Sequence, residues 1–266
     1  MSETLQFIPA IAMRDAAANS HRDPAQTVVS GVNWHVNPGE LWVLAGPQRS
    51  GKSDFLMMTC GLTAPTAGTY HFLGEPMPIY EDERLAHRRK LGFVFDSGQL
   101  FNRLTVAENV ALPIQYHFDL DRAEAEARLR TMLDRLELAE RAHNYPASLA
   151  RNWQKRAGLA RALMLQPEVL LVDNPLGGLD SRHAAWWLNF LEQLCAGHSL
   201  HDGQPMTVIV TTDDLPRMVS GLRKRCRFAV LSAGKLRVIG DRAELLASRD
   251  PEVRELLAGE EANRAD

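Results

Sequence analysis

One octapeptide constrains this 266-residue chain more than any other feature. Gly46-Pro47-Gln48-Arg49-Ser50-Gly51-Lys52-Ser53 fits the pattern G-x-x-x-x-G-K-[ST]. It follows the apolar run LWVLA at 41–45 and precedes Asp54 and FLMMTCGL, a stretch suited to a helix. Strand, loop and helix in that order are the context the pattern needs. Backbone N–H groups of such a loop wrap phosphates, and the positive end of the helix dipole faces them. On this reading Lys52 contacts the β- and γ-phosphates and the Ser53 hydroxyl ligates Mg²⁺. The context weighs against the plain alternative, a glycine-rich turn with an exposed lysine.

The rest of the chain alternates short apolar runs with helix-length segments. Residues 41–45, 91–95, 169–173, 207–211 and 228–231 are near-continuous apolar runs, the pattern of strands covered on both faces. Val32, Trp34 and Val36 alternate with polar residues, which suits a half-exposed antiparallel strand. The expected fold is α/β: a P-loop nucleotide-hydrolase type with a mainly parallel core sheet, an N-terminal antiparallel part and a helical insertion. Residues 96–165 show no strand pattern. Asp119 and Asp121 offer caps, and Ala125, Leu129, Met132, Leu133 and Leu136 recur at helical spacing. The division expected is a RecA-like core at 1–95 and 166–245, a helical subdomain at 96–165, and a C-terminal extension at 246–266. The stretch after Gly240 reads as two short helical pieces broken near Asp250-Pro251, then a polar tail.

Bulk properties exclude some classes. A net charge of −3 gives no basic field for nucleic acid. No apolar run approaches the roughly 18–20 residues that span a bilayer, and the start lacks a signal-peptide pattern. Cys60, Cys195 and Cys226 are far apart and read as reduced thiols. The expectation is a cytoplasmic protein that reaches a membrane only through a partner.

The order PGELWVLAGPQRSGKSD, CGLTAPTAGTYHFLG, LTVAENVALP, LARALMLQPEVLLVDNPLGGLD, TVIVTTDDL resembles an ATP-binding-cassette (ABC) transporter ATPase subunit over about residues 28–245. LTVAENVALPIQYH and ELLASRDPEVRELLAG are more narrowly similar to ATPase subunits of lipid-trafficking transporters of the Mla-like, mammalian-cell-entry type. The resemblance implies ATP and Mg²⁺ as cofactors. It implies an inner-membrane permease and a second ATPase subunit as partners, in a homo- or heterodimer. A small accessory or substrate-binding lipid-trafficking protein would complete the set. It also assigns Asp173 to the metal, Gly178-Leu179-Asp180 to the dimer seam, and Leu104 to Asn109 to the surface that docks a membrane subunit.

Against that family pattern, the positions for hydrolysis depart together. Asn174 stands where a glutamate acts on the attacking water, and an amide does not take up a proton at neutral pH. Asp213 replaces a histidine that donates toward the γ-phosphate. Asp96 replaces a glutamine whose carbonyl ligates the metal, a role a carboxylate is able to keep. Leu149-Ala150-Arg151-Asn152-Trp153 replaces the signature loop LSGGQ, removing a serine and both glycines and placing bulky Trp153 where a partner should approach. Arg49 replaces a glycine, and Asp54 a threonine that touches the α-phosphate. Two unit charges at 4 Å interact by about 4 kcal/mol at an effective dielectric near 20, so Asp54 should weaken nucleotide binding. No tyrosine precedes residue 70 to stack on adenine, and His21 is a poor substitute.

Three readings follow. In the first, the chain is a nucleotide-binding subunit of a lipid transporter with little or no hydrolysis. In the second, it is a pseudo-ATPase that scaffolds or regulates the transporter without nucleotide. In the third, Asp213 or Asp96 rescues catalysis. Loss of a general base alone removes about 10²–10⁴-fold in rate.

Overall fold

The computed structural model describes residues 8–77, 84–223 and 225–259. Two sheets share the work of placing the site. The smaller is antiparallel, in the order β2-β1-β4-β5, from β1 (Ile11–Asn19), β2 (Thr27–Val36), β4 (Ala67–Phe72) and β5 (Glu75–Pro76). The larger runs β10-β9-β3-β8-β7-β6. Its strands are β3 (Leu41–Ala45), β6 (Leu91–Val94), β7 (Val169–Val172), β8 (Thr207–Thr212), β9 (Arg227–Ser232) and β10 (Lys235–Gly240). All its pairings are parallel except that of β9 with β10. The sequence expectation of a mainly parallel core sheet with an antiparallel N-terminal part therefore holds.

The apolar runs are explained by burial on both faces. Every residue of β3, β7 and β8 is buried. Successive side chains point to opposite faces, so β3 serves two cores at once. Trp42 and Leu44 pack with Trp34, Phe55, Tyr70 and Phe72 beneath the antiparallel sheet. Trp34 meets Trp42 edge-on at 5.4 Å between ring centres. Leu41, Val43 and Ala45 join the opposite core, with Val110, Leu159, Trp187 and Leu191.

Val32, Trp34 and Val36 are buried while Gly31, Asn33 and His35 are exposed, as their alternation in β2 requires. Strands β1, β4, β5 and β10 escaped the sequence reading. β1 (IAMRDAAAN) is rich in alanine and broken by Arg14-Asp15, and its ladder carries register shifts there. β10 (KLRVIG) is an edge strand with little buried surface.

Between β6 and β7 the described chain holds α3 (Val106–His117), α4 (Arg122–Arg135), α5 (Arg151–Leu163) and short 3₁₀ turns. Thr105 and Glu108 close a capping box at the start of α3, and Asp121 caps α4 through the Glu124 N–H. The other helices are α1 (Lys52–Thr59), α2 (Leu85–Arg88), α6 (Ser181–Ala196), α7 (Leu215–Gly221), α8 (Arg242–Ala247) and α9 (Pro251–Ala258). Asp241 and Asp250 cap α8 and α9, which accounts for the two short C-terminal pieces. The expected polar tail at 260–266 lies outside the described residues. No helix of the described chain is long and apolar enough to cross a membrane.

Candidate nucleotide site

The parallel strands deliver their C-terminal ends to one edge, where open α/β sheets bind ligands. Reading along that edge, β3 leads into the loop 46–51, β8 into Asp213, β7 into Asp173-Asn174 and β6 toward Asp96. Four sequence-distant segments thus become neighbours through strand order alone.

The loop of Gly46 to Ser53 links β3 directly to α1. A Cβ on Gly46 would lie 2.2 Å from the Leu231 carbonyl oxygen of β9, so the loop passes the neighbouring strand where only glycine fits. Gly51 caps α1 with φ +91°. Arg49 also holds a left-handed φ of +63°, a conformation in which glycine is unstrained and an arginine is not. The Ser50 N–H donates to the Pro47 carbonyl, while its buried hydroxyl finds no partner among the described residues.

Lys52 Nζ donates to the carbonyls of Gly46 at 2.8 Å and Pro47 at 2.7 Å, folding back over its own loop. Burial pulls its pKa down, against the attraction of Asp213 and Asp173. Asp213 therefore faces a lysine as well as the site. Asp173 is buried and accepts the Thr211 hydroxyl at 2.7 Å, and the Ser53 hydroxyl lies close enough to favour its charged form. Burial raises its pKa; those two hydroxyls and Lys52 oppose the rise.

A hydroxyl and a carboxylate near one another suit a hard cation that takes its remaining oxygens from water and phosphate. No group of three or more His, Cys, Asp or Glu side chains able to hold a metal exists among the described residues. Ser53 and Asp173 were the residues the sequence offered for Mg²⁺, and the fold brings both to this edge; the unpartnered Ser50 hydroxyl lies in the phosphate loop itself.

Asn174 has φ +45°, which asparagine tolerates better than most residues. Its N–H donates to Thr211 Oγ1 at 3.0 Å, and its carbonyl accepts Lys155 Nζ at 2.6 Å. Its side-chain oxygen is buried without a partner among the described residues. Asp54 occupies the first turn of α1, where a carboxylate favours the helix dipole, and accepts the His21 N–H at 2.6 Å. Sequence reasoning set Asp54 against phosphate. In the structure it fastens the β1–β2 connection, and that connection carries exposed His21.

The sequence also offered Asp96 to the metal. In the structure Asp96 pairs with two cations, Arg151 Nη2 at 2.5 Å and Lys155 Nζ at 2.8 Å, one on each carboxylate oxygen. Lys155 was not singled out beforehand, since a lysine among the other charged and polar residues of α5 carries no motif. Its partner only becomes visible once β6 and α5 are adjacent.

In the segment Leu149 to Trp153, Leu149 and Asn152 are buried and Ala150 begins α5 without a side-chain cap. Trp153 packs against its own chain. Its half-buried ring stacks with Arg141 at 3.7 Å and Arg156 at 4.7 Å, and meets His183 edge-on. Arg151 lies across Gly178: a Cβ there would be 3.4 Å from Arg151 Cδ. Leu179 is buried, and its carbonyl accepts Arg217 Nη1 of α7 at 2.9 Å. Asp180 caps α6 through the His183 N–H and also bonds His183 Nδ1. A cleft of about 720 Å³ is lined by Gln48, Arg151, Asn174, Gly178, Asp213 and Ala258, among others.

Comparison with known proteins agrees with this architecture. Residues 29–177 match the family described as "ABC transporter". The chain belongs to that family. It is 32% identical over 209 residues to the cell division ATP-binding protein FtsE of Escherichia coli K12, covering 78% of this chain and 89% of FtsE. It is 37% identical to the macrolide export ATP-binding/permease protein MacB of Azoarcus sp., over 65% of this chain but 27% of MacB. It is 34% identical to the sulfate/thiosulfate import ATP-binding protein CysA of Vibrio cholerae, over 80% of this chain and 54% of CysA. The chain thus spans only part of MacB and CysA. Among solved structures, a dimer of the ATP-binding cassette MJ0796 bound to ADP and Pi superposes with a TM-score of 0.73 at 29% identity. That match covers 85% of this chain and 96% of the other.

Proposed function

We propose that this chain is the nucleotide-binding subunit of an ABC transporter that binds MgATP and turns it over slowly or not at all. The observation that carries the reading is the pairing of a retained phosphate-and-metal set with an asparagine where a base is expected. Lys52, Ser53 and Asp173 converge at one sheet edge, while the next side chain is Asn174, whose backbone is pinned through both its N–H and its carbonyl. Lys52 would bind phosphate oxygens in exchange for the Gly46 and Pro47 carbonyls. Bound Mg²⁺ supplies charge neutralisation for the phosphates. Asn174 orients but accepts no proton.

The subunit is expected to be cytoplasmic, held on the inner membrane by a permease and paired with a second ATPase subunit across Gly178-Leu179-Asp180. Lipid trafficking is the transport role favoured by the segments 104–117 and 244–259, with a small accessory protein as a further partner. MacB and CysA carry names for macrolide export and sulfate import, so the cargo rests on those segments alone.

Calorimetry of MgATP binding to the purified chain tests the reading. Saturable binding that Lys52→Ala abolishes supports it, with phosphate release staying near background. No detectable binding at millimolar ATP sinks it and leaves the nucleotide-free scaffold. That alternative has one observation in its favour: Lys52 already satisfies itself on its own loop. Fast turnover removed by Asp213→Ala would instead revive a substitute base.

A further inference from the structure

A cluster of charge beside the nucleotide site has no part in the binding set. The Lys155 side chain is 1% exposed. From the middle of α5 its ammonium donates to Asp96 Oδ1 at 2.8 Å, the Asn174 carbonyl at 2.6 Å and the Pro175 carbonyl at 3.4 Å. Arg151, one turn earlier, takes the other Asp96 oxygen at 2.5 Å. Arg161, further along, donates to the carbonyls of Gly98 at 3.0 Å and Gln99 at 2.9 Å. Between them, Gly158 is pressed against Gly98: a Cβ on Gly158 would come within 2.8 Å of Gly98 Cα. Residues 151, 155, 158 and 161 recur at helical spacing and form one face of α5. That face grips the chain just after β6, where the helical segment departs. Through Lys155 it also grips the chain just after β7, where the segment has returned.

We propose that Lys155 and Arg151 are positioning residues, a clamp that holds α5 in one orientation against the ligand-binding edge of the sheet before any nucleotide arrives. Asp96 is the shared anchor. A buried ammonium separated from its carboxylate carries a desolvation penalty that the Asn174 and Pro175 carbonyls relieve only in part, and a movement of α5 would take Lys155 from those carbonyls as well. While the clamp is closed, each Asp96 oxygen is engaged by one cationic donor. The proposal goes beyond nucleotide binding because it needs no ligand, and it stands or falls separately from the calorimetry above.

The test is the distance between two spin labels on the full chain without nucleotide, in a Cys195→Ala background. One label goes on α4 (Arg130→Cys) and one on β4 (Thr69→Cys), both exposed positions. With the clamp intact, a single narrow distance distribution is expected. Lys155→Met should widen it about twofold or add a second distance, as a released rigid element would. Arg151→Met, at a half-exposed side chain, should widen it less. A Lys155→Met protein that folds and keeps the original distribution overturns the proposal. If that variant fails to fold, an unchanged distribution in Arg151→Met overturns it instead.

Discussion

Replacing Asp96 by asparagine isolates the anchor of the clamp. The variant keeps size and shape but leaves Lys155, 1% exposed, facing an amide instead of a carboxylate. Removing one partner of a buried pair costs about 3–5 kcal/mol, because the other charge stays buried without compensation. Two features place Asp96→Asn at the lower end. Asp96 itself is 34% exposed, and Lys155 keeps the Asn174 and Pro175 carbonyls. The expected loss is about 3 kcal/mol, which for a chain of this size lowers the melting temperature by roughly 6–12 °C. The sign with pH follows from Lys155. Burial depresses its pKa, opposed chiefly by Asp96. A lysine with a lowered folded pKa penalises folding while it is charged, and the penalty fades as pH rises through that pKa. Without Asp96 the depression deepens, so the gap between wild type and variant should narrow as pH rises. Urea unfolding of both proteins at pH 7 and pH 9.5 measures this. A loss under about 1 kcal/mol, or a gap that widens at the higher pH, refutes the reasoning.

Three further outcomes are expected. Gly46→Ala drives a Cβ into the Leu231 carbonyl; it should lower the melting temperature and eliminate MgATP binding by calorimetry, since the loop cannot move without breaking its approach to β9. Asp173→Asn should raise stability at pH 7 in thermal unfolding while weakening metal-dependent nucleotide binding. Burial raises the Asp173 pKa, so its favourable protonated state is lost as pH rises through that value, and the advantage of the asparagine should shrink on acidification. Arg49→Gly relieves a left-handed φ worth about 1–2 kcal/mol but adds unfolded-state freedom of about 0.5–1 kcal/mol. Denaturant titration should show a small net gain, and a loss would mean the arginine side chain holds the loop.

Much of the fold was legible because burial on both faces writes itself into sequence. The runs at 41–45, 169–173 and 207–211 read as central strands and became β3, β7 and β8. Where a strand lies at an edge, as β10 does, or is built from alanine, as β1 is, no such signature exists. The site divides in the same way. Gly46 to Ser53 was legible as a motif because its chemistry is local: a turn, a helix start, a lysine and a hydroxyl within eight residues. That an asparagine and not a glutamate follows Asp173 was legible from its place after the strand. The engagements of Asp54 with the His21 N–H, of Trp153 with Arg141, and of Asp96 with Arg151 and Lys155 were not.

By itself, the sequence determined the α/β class, the phosphate loop and the absence of a glutamate after Asp173, each decided by residues close along the chain. Only the tertiary structure decided what Asp96 does. Its partners lie 55 and 59 residues away on α5. The order of strands and the packing of one helix bring them together. A carboxylate's role is set by the charges around it, and sequence distance says nothing of those.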